Sequence, residues 1–168
     1  MRSQDQPAPL PDASPFRFAV IVSRFNEAIT GSLRDGAVRA LREAGAPPEH
    51  VRVFDVPGAY EIPQAARVAA ENGRFDAIVC LGCIIRGETP HFDYIASAVA
   101  HGITAAAGDT GIPMAFGVLT TENEAQAAAR SGPGPDNKGR EAAAAAIEMA
   151  ALYRKLSDTA PRNFGFRA

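Results

Sequence analysis

The sequence of 168 residues predicts an α/β protein, a three-layer α/β/α sandwich around a central sheet of four parallel strands. Four short apolar segments alternate with segments whose apolar residues recur at helical spacing. Strands separated by helices pair in parallel through right-handed crossovers. Because the strand segments are apolar almost throughout, we expect helices on both faces of the sheet. The length fits one domain, and 46% hydrophobic and 21% charged residues are ordinary for a globular chain.

The predicted elements follow the order βαβαβαβαα, and residues that favour element ends separate them. Strands are expected at residues 16–23, 51–56, 77–85 and 112–119. Helices are expected at about residues 29–44, 62–71, 90–108, 122–130 and 137–156. Asn26 can cap the first helix, and Thr89 with Pro90 predicts the start of the third. Thr121 and Glu124 form a capping-box pattern before the fourth helix.

We expect one folded domain over residues 16–156, between a flexible N-terminal segment of residues 1–15 and a C-terminal tail of residues 157–168. The N-terminal segment is rich in Pro, Gln, Asp and Ser and lacks the apolar core of a signal peptide, so the expected location is the cytoplasm. No apolar run approaches the roughly 20 residues of a membrane span, which argues against a membrane partner. The net charge of −2 argues against a nucleic-acid partner.

The two cysteines, Cys80 and Cys83, form a Cys-x-x-Cys pair, which can be a redox pair or half of a metal site. A redox pair of this kind opens a helix, whose dipole lowers the thiol pKa, whereas this pair lies inside a predicted strand. Zinc needs two further ligands, and the three histidines are scattered at positions 50, 91 and 101. We therefore expect a structural role for both thiols and no bound metal.

In an open parallel sheet, ligands bind beyond the carboxyl ends of the strands. The loop that follows the third strand carries the most informative residues at this edge. Gly87 allows a ligand to approach closely, Thr89 offers a hydroxyl, and the N–H groups at a helix start favour an anion such as phosphate. His91 titrates near neutral pH and suits proton transfer. The same loop is also compatible with a capping Thr and a solvated His, without any ligand.

Three further segments each have a functional and a structural interpretation. Phe25 can stack on a planar ring and Asn26 can bind its polar edge, or Phe25 packs on the core while Asn26 only caps. The segment Gly58-Ala59-Tyr60-Glu61 can bind a polyol, or Glu61 is an acid facing the helix dipole. Arg130 and Lys138 can hold a phosphate, or they are ordinary surface charges near helix ends.

Several other site classes are excluded by pattern. The chain has no P-loop motif, and the first strand ends in Ser23-Arg24-Phe25-Asn26 without the glycines of a dinucleotide fingerprint. The missing glycines also count against a flavodoxin-type flavin carrier. A receiver-like regulatory domain would need clustered acids at this strand end, and none are present.

Taken together, the loops resemble the signature segments of the lumazine synthase family. The resemblance spans about residues 18–156, and five motifs occur in the family's order. They are Arg24-Phe-Asn26, Val56-Pro-Gly-Ala-Tyr-Glu-Ile-Pro63, Leu81-Gly-Cys-Ile-Ile-Arg-Gly-Glu-Thr-Pro-His-Phe-Asp-Tyr94, Phe116-Gly-Val-Leu-Thr-Thr-Glu-Asn123 and Asn137-Lys-Gly139. The resemblance implies a flavodoxin-like fold and a transferase of riboflavin biosynthesis.

The resemblance also implies a role for each matching position. His91 corresponds to the proton shuttle, and Phe25 to the residue that stacks on the pyrimidine. Phe116, Arg130 and Lys138 correspond to residues that reach in from the adjacent subunit of a pentamer. The implied positions for the pyrimidine and its ribityl chain are Phe25, Asn26, Gly58, Ala59, Tyr60, Glu61, Ile84, Ile85, Phe116 and Lys138. The implied phosphate positions are Gly87, Glu88, Thr89 and Arg130, with the N–H of Glu88 rather than its carboxylate facing the anion.

The implied reaction condenses 5-amino-6-(D-ribitylamino)uracil with 3,4-dihydroxy-2-butanone 4-phosphate to give 6,7-dimethyl-8-ribityllumazine, phosphate and water, with no metal and no cofactor. The implied partners are the two small-molecule substrates and further copies of the chain, and riboflavin synthase stays open as another. The loop Gly132-Pro-Gly-Pro-Asp136 lacks the lysine of many members that form sixty-subunit shells, and it is not lengthened as in several pentamer-only members. Pentamers and assemblies of pentamers therefore both stay open. The alternative is an inactive member that binds ligands or forms a shell.

Overall fold

The computed structural model describes residues 9–159 and contains a four-stranded parallel sheet with strand order β2-β1-β3-β4. The strands are β1 (Phe18–Ser23), β2 (Val51–Val56), β3 (Ala77–Ile85) and β4 (Met114–Thr121). The helices are α1 (Glu27–Glu43), α2 (Ile62–Glu71), α3 (His91–Thr110), α4 (Glu124–Ser131) and α5 (Lys138–Ser157). This is the predicted α/β sandwich, with the strands and helices in the predicted order.

The central strands β1 and β3 are buried on both faces because apolar residues occupy almost every position rather than every second one. Phe18, Val20 and Val22 point into a core cluster shared with α1 and α5. Ala19 and Ile21 point into a second cluster shared with α2 and α3. The sheet therefore separates two apolar cores, as the near-continuous apolar strands predict.

Helices α1 and α5 cover one face of the sheet and pack closely against each other. At Gly139, an added Cβ atom would collide with the backbone carbonyl of Leu33. Only glycine permits this approach, so α5 begins directly against α1. Helices α2 and α3 cover the other face, where a Cβ at Gly102 would lie 2.8 Å from Pro63. These contacts bring the paired helices close together on each face of the sheet.

The structure corrects three predicted helix starts. Asn26 occupies the cap position of α1 in a left-handed conformation with φ 61°, but its side chain makes no capping bond. Its amide instead donates to the carbonyl of Cys83 at 3.0 Å. Helix α3 begins at His91 with Pro90 in the cap position, and Thr89 only accepts a long 3.5 Å bond from the His91 N–H. The helix therefore begins one residue later than predicted.

The third correction concerns α4, which is capped by Asn123 and not by Thr121. The Asn123 side chain accepts a hydrogen bond of 2.9 Å from the N–H of Gln126. The sheet explains the difference, because β4 pairs with β3 through Thr121 and keeps that residue extended. The same pairing shifts β4 to Met114–Thr121 from the predicted 112–119, and α3 continues to a left-handed Gly111 beyond its predicted end.

At the N-terminal side, packing begins earlier than the predicted domain boundary at residue 16. Ala13 is buried, and its N–H donates to the carbonyl of Ala44 at 2.8 Å. The rest of the predicted flexible segment, residues 1–8, lies outside the described residues, as does the predicted tail from residue 160 onward. Within residues 9–159, no helix has the length and apolarity that crossing a bilayer requires.

Candidate active site

A cavity of about 420 Å³ opens where β1, β2 and β3 end, at the edge of the sheet that the topology favours for ligands. We call it the strand-end cavity. The end of β3 forms its floor, and the turn before α2 and the first turns of α3 form its walls. Its lining residues are Phe25, Gly58, Ala59, Tyr60, Cys83, Ile84, Ile85, Gly87, Thr89, His91, Phe92 and Ile95.

Two aromatic side chains that line this cavity are largely exposed to solvent. Phe25 is 71% exposed and Tyr60 is 61% exposed. The interpretation in which Phe25 packs on the core is therefore wrong. The backbone holds Phe25 in place, because its N–H donates to the carbonyl of Pro57 at 3.2 Å, which joins the loop after β1 to the loop after β2. An exposed aromatic ring on a fixed backbone is suited to stacking on a planar ligand.

The loop between β3 and α3 offers donors for an anion. Among the described residues, nothing accepts a hydrogen bond from the backbone N–H groups of Gly87, Glu88 or Thr89. They lie before the start of α3, where the helix dipole favours negative charge. Of the three histidines in the chain, only His91 lines the strand-end cavity, and its side chain is exposed. The loop therefore brings anion donors and a titratable ring to one end of the cavity.

Of the predicted binding residues in the loops after β1, β2 and β3, three do not line this cavity. The Asn26 amide donates to the carbonyl of Cys83, a residue of the cavity floor. The carboxylate of Glu61 accepts a 3.0 Å bond from the N–H of Gly58, so it shapes the turn that carries Ala59 and Tyr60. The side chain of Glu88 is exposed outside the cavity. Asn26 and Glu61 hold the cavity walls in this structure.

Phe116, Arg130 and Lys138 lie together in a second cavity of about 310 Å³. We call it the β4 cavity, because β4 and α5 form most of it. Lys138 forms an ion pair with Glu141, another lining residue, and Arg130 donates to the carbonyl of Gln126 at 2.9 Å. The two cavities share no lining residue. Within one chain, the predicted site residues are therefore divided between two separate surfaces.

The buried side-chain amide of Asn137 fixes the positions of Arg130 and Lys138, the two cations of the β4 cavity, relative to each other. The Nδ2 of Asn137 lies 3.1 and 2.9 Å from the carbonyls of Ser131 and Gly132, and 3.2 Å from that of Ser32. Its Oδ1 accepts from the N–H groups of Gly139 and Arg140. These bonds join the end of α4, which carries Arg130, to the start of α5, which carries Lys138.

Sequence reasoning missed several residues that line the two cavities. Phe92 and Ile95 face the strand-end cavity from the first turns of α3, and Cys83 contributes to its floor. The apolar spacing of Phe92 and Ile95 on one side of the helix was a usable signal. Glu141 was missed in the β4 cavity, although it stands three residues after Lys138, which is the spacing of a helical ion pair.

Both cysteines are buried in β3, as the strand interpretation predicts. Burial raises the pKa of Cys80 to about 12 and the pKa of Cys83 to about 11, because the apolar surroundings disfavour the thiolate. Both groups therefore stay protonated at neutral pH and do not act as nucleophiles.

The fold is that of an α/β protein, and the strand-end cavity is its candidate small-molecule site, with a shape and lining suited to a planar ring and an anion. A sequence profile of the 6,7-dimethyl-8-ribityllumazine synthase family matches residues 15–154. The chain belongs to this family.

Three similar relatives are each named 6,7-dimethyl-8-ribityllumazine synthase. The protein from Salinibacter ruber is 51% identical over 140 residues, covering 83% of this chain and 90% of the relative. The protein from Chlorobium luteolum is 48% identical with the same coverage. The protein from Syntrophus aciditrophicus is 48% identical over 144 residues, covering 86% of this chain and 94% of the relative. Residues 15–154, which the family profile matches, include all lining residues of both cavities.

Proposed function

We propose that this chain catalyses the condensation of 5-amino-6-(D-ribitylamino)uracil with 3,4-dihydroxy-2-butanone 4-phosphate to 6,7-dimethyl-8-ribityllumazine in riboflavin biosynthesis. One observation supports this most directly: the strand-end cavity combines an exposed aromatic ring, free backbone donors and a histidine. Family membership and the names of the relatives support the same activity.

The proposed substrates match the two ends of the strand-end cavity. The pyrimidine stacks on Phe25 and meets the backbone at the end of β3, and the ribityl chain follows the Gly58–Tyr60 turn. The phosphate of the second substrate accepts hydrogen bonds from the N–H groups of residues 87–89 and from the hydroxyl of Thr89. This arrangement places the amino group of one substrate beside the ketone of the other, so much of the rate enhancement comes from proximity.

The chemistry then needs proton transfers but no metal and no redox step. The 5-amino nitrogen attacks the ketone carbon, and loss of water gives an imine. Removal of the proton on the carbon next to the imine allows phosphate to leave from the following carbon, and the resulting enol tautomerises to a ketone. The ribitylamino nitrogen attacks this ketone carbon, and loss of a second water closes the ring. We assign His91 as the group that accepts and returns protons in these steps, because it lines the cavity next to the proposed phosphate site.

We further propose that each active site combines the strand-end cavity of one chain with the β4 cavity of its neighbour in a homopentamer. Arg130 then adds a charged partner for the phosphate, and Phe116 and Lys138 complete the pyrimidine pocket. The separation of the two cavities within one chain supports this arrangement, since a head-to-tail interface joins two different patches. The cytoplasmic location, the number of pentamers in the assembly and an encounter with riboflavin synthase stay predictions.

The direct test mixes the purified protein with both substrates and follows lumazine fluorescence together with released phosphate. We expect equal amounts of both products, and none when either substrate is omitted. His91→Ala should lower kcat by about ten- to ten-thousand-fold, the usual range for a general acid–base, while the dissociation constant for the pyrimidine changes little. An unchanged rate in this variant would contradict the role of His91.

The same experiment separates catalysis from the alternative of an inactive ligand-binding or shell-forming member. That alternative predicts that the wild-type protein binds the pyrimidine in calorimetry but forms no lumazine at high enzyme concentration. The exposed Phe25 and His91 in one cavity favour the enzyme. Pyrimidine binding without product formation would overturn the proposed reaction.

A further inference from the structure

We propose that Arg86 is a positioning residue, which holds the first turn of α3 against the ends of β3 and β4 and so orients His91 and Phe92. The inference rests on the proposed function, because His91 and Phe92, the two residues that Arg86 orients, line the strand-end cavity. Arg86 itself does not line that cavity, so it acts through its neighbours.

Arg86 directly follows β3 and contacts two other segments, the end of β4 and the first turn of α3. Its backbone N–H donates to the carbonyl of Thr121 at the end of β4 at 2.9 Å. Its Nε donates to a carboxylate oxygen of Glu122 at 2.8 Å. Its Nη1 and Nη2 donate to the two carboxylate oxygens of Asp93, in the first turn of α3, at 3.2 and 3.1 Å. The backbone and the guanidinium of Arg86 together therefore join the ends of β3 and β4 to the start of α3.

The same guanidinium also supports a wall of the cavity. Its central carbon lies 4.3 Å from the centroid of the Phe92 ring, in a cation–π contact. Phe92 lines the cavity and directly follows His91 in the chain. A change in the direction of the Arg86 side chain therefore alters both the wall and the first turn that presents the histidine.

The geometry points to orientation rather than to stability. All three side chains are partly exposed, at 37% for Arg86, 61% for Asp93 and 60% for Glu122, and ion pairs of this kind contribute little to folding. A bidentate contact and a stacked ring, in contrast, define the plane of the guanidinium. Lysine would keep the charge and lose both constraints, so charge and orientation can be separated by one substitution.

The competing explanation is that Arg86 supports phosphate binding only by neutralising nearby carboxylates. Without Arg86, the carboxylates of Asp93 and Glu122 stay unneutralised near the proposed phosphate site, and this would weaken binding of a phosphate. If neutralisation were the whole effect, Arg86→Lys would behave as wild type. If orientation is the effect, both Arg86→Lys and Arg86→Gln should be impaired.

Arg67 provides a matched control within the same chain. It is an exposed arginine that also contacts two carboxylates, Glu71 at 3.2 Å and Asp109 at 2.9 Å, and it joins two helices. It lines neither cavity. Arg67→Lys therefore measures how the loss of an arginine contact with two carboxylates changes the stability of the fold, while His91 and Phe92 keep their supports.

The test compares steady-state kinetics, pyrimidine binding and thermal unfolding for the wild type, Arg86→Lys, Arg86→Gln and Arg67→Lys. We expect both Arg86 variants to lower kcat/KM for the sugar phosphate by about ten- to hundred-fold, as for a small misplacement of reacting groups. The pyrimidine dissociation constant should stay within about twofold of wild type, because Phe25 and the end of β3 are untouched. Arg67→Lys should match the wild type in kinetics, and all variants should unfold at similar temperatures.

Arg86→Lys with wild-type kinetics would overturn the inference, since the charge alone would then suffice. Equal losses in sugar-phosphate kinetics and pyrimidine binding, together with a lower unfolding temperature, would also overturn it in favour of a structural role. A wild-type protein that forms no lumazine would instead refute the proposed function, which makes the two failures distinguishable.

Discussion

The division of the predicted site between two cavities leads to a complementation experiment. His91→Ala damages the strand-end cavity and leaves the β4 cavity intact, whereas Arg130→Ala does the reverse. If a working site forms between the strand-end cavity of one chain and the β4 cavity of the next, each variant alone has five damaged sites per pentamer. A mixed ring regains a complete site wherever an Arg130→Ala chain presents its strand-end cavity to the β4 cavity of a His91→Ala chain.

The expected recovery follows from counting interfaces. In a random equal mixture, half of the strand-end cavities and half of the β4 cavities are intact. About one interface in four therefore joins two intact cavities, as follows for a head-to-tail contact. Activity should rise to about a quarter of the wild-type value, far above either variant if each loses at least a hundredfold.

The assay unfolds the two variants together, refolds them, verifies mixed oligomers by mass spectrometry and measures lumazine fluorescence. Co-refolded His91→Ala and the double variant His91→Ala/Arg130→Ala provide the control, because every strand-end cavity then lacks His91 and no interface can become complete. Mixed oligomers without recovery in the first pair would refute the shared site, and so would equal recovery in the control pair.

Three further predictions concern single properties. Phe25→Ala should weaken pyrimidine binding by about 1–3 kcal/mol in calorimetry, as for the loss of a stacking partner, and Phe25→Leu should recover part of this. Inorganic phosphate should compete in steady-state kinetics with the sugar phosphate and not with the pyrimidine, because residues 87–89 offer anion donors, and Arg130→Ala should weaken the competition. The free energy of unfolding, measured in urea, should fall as the pH rises above about 9, because the raised pKa values of Cys80 and Cys83, about 12 and 11, mean that the unfolded chain releases these protons first.

Each of these predictions has a contradicting result. Full pyrimidine affinity in Phe25→Ala would assign this exposed ring to a contact between chains. Phosphate that competes only with the pyrimidine would place the anion site elsewhere. A urea series in which Cys80→Ala loses stability above pH 9 as steeply as the wild type would show that other groups cause the decline.

The sequence alone was sufficient for the order of elements and the layer architecture. Both depend on properties that a segment carries within itself, such as the continuous apolar run of β3 and the 3.6-residue period of α1. The carboxyl edge of the sheet follows from parallel pairing, so the loops that carry Phe25, Ala59 and His91 were expected there before any contact was known. The family followed from five motifs in the correct order.

The tertiary structure decided what those loops do with their side chains. Asn26 is of a residue type that commonly caps helices, but its side chain instead donates a hydrogen bond to the carbonyl of Cys83, 57 positions along the chain. Asn137 bonds to Ser32 across 105 positions. No local pattern can predict such partners, because they depend on how the helices and strands pack. The pairing of β3 with β4 likewise kept Thr121 in the sheet and moved the cap of α4 to Asn123.

The division of the site into two cavities has the same origin. The sequence predicts that Phe25, His91, Arg130 and Lys138 lie near the ends of helices and strands. It contains no direct information about the distances between these residues. Packing put α4 and α5 on the opposite face of the sheet from α2 and α3, which separated Arg130 and Lys138 from the strand-end cavity within one chain. Local composition thus determined which residues are available for chemistry, whereas the long-range packing of helices on the sheet decided which of them share a cavity.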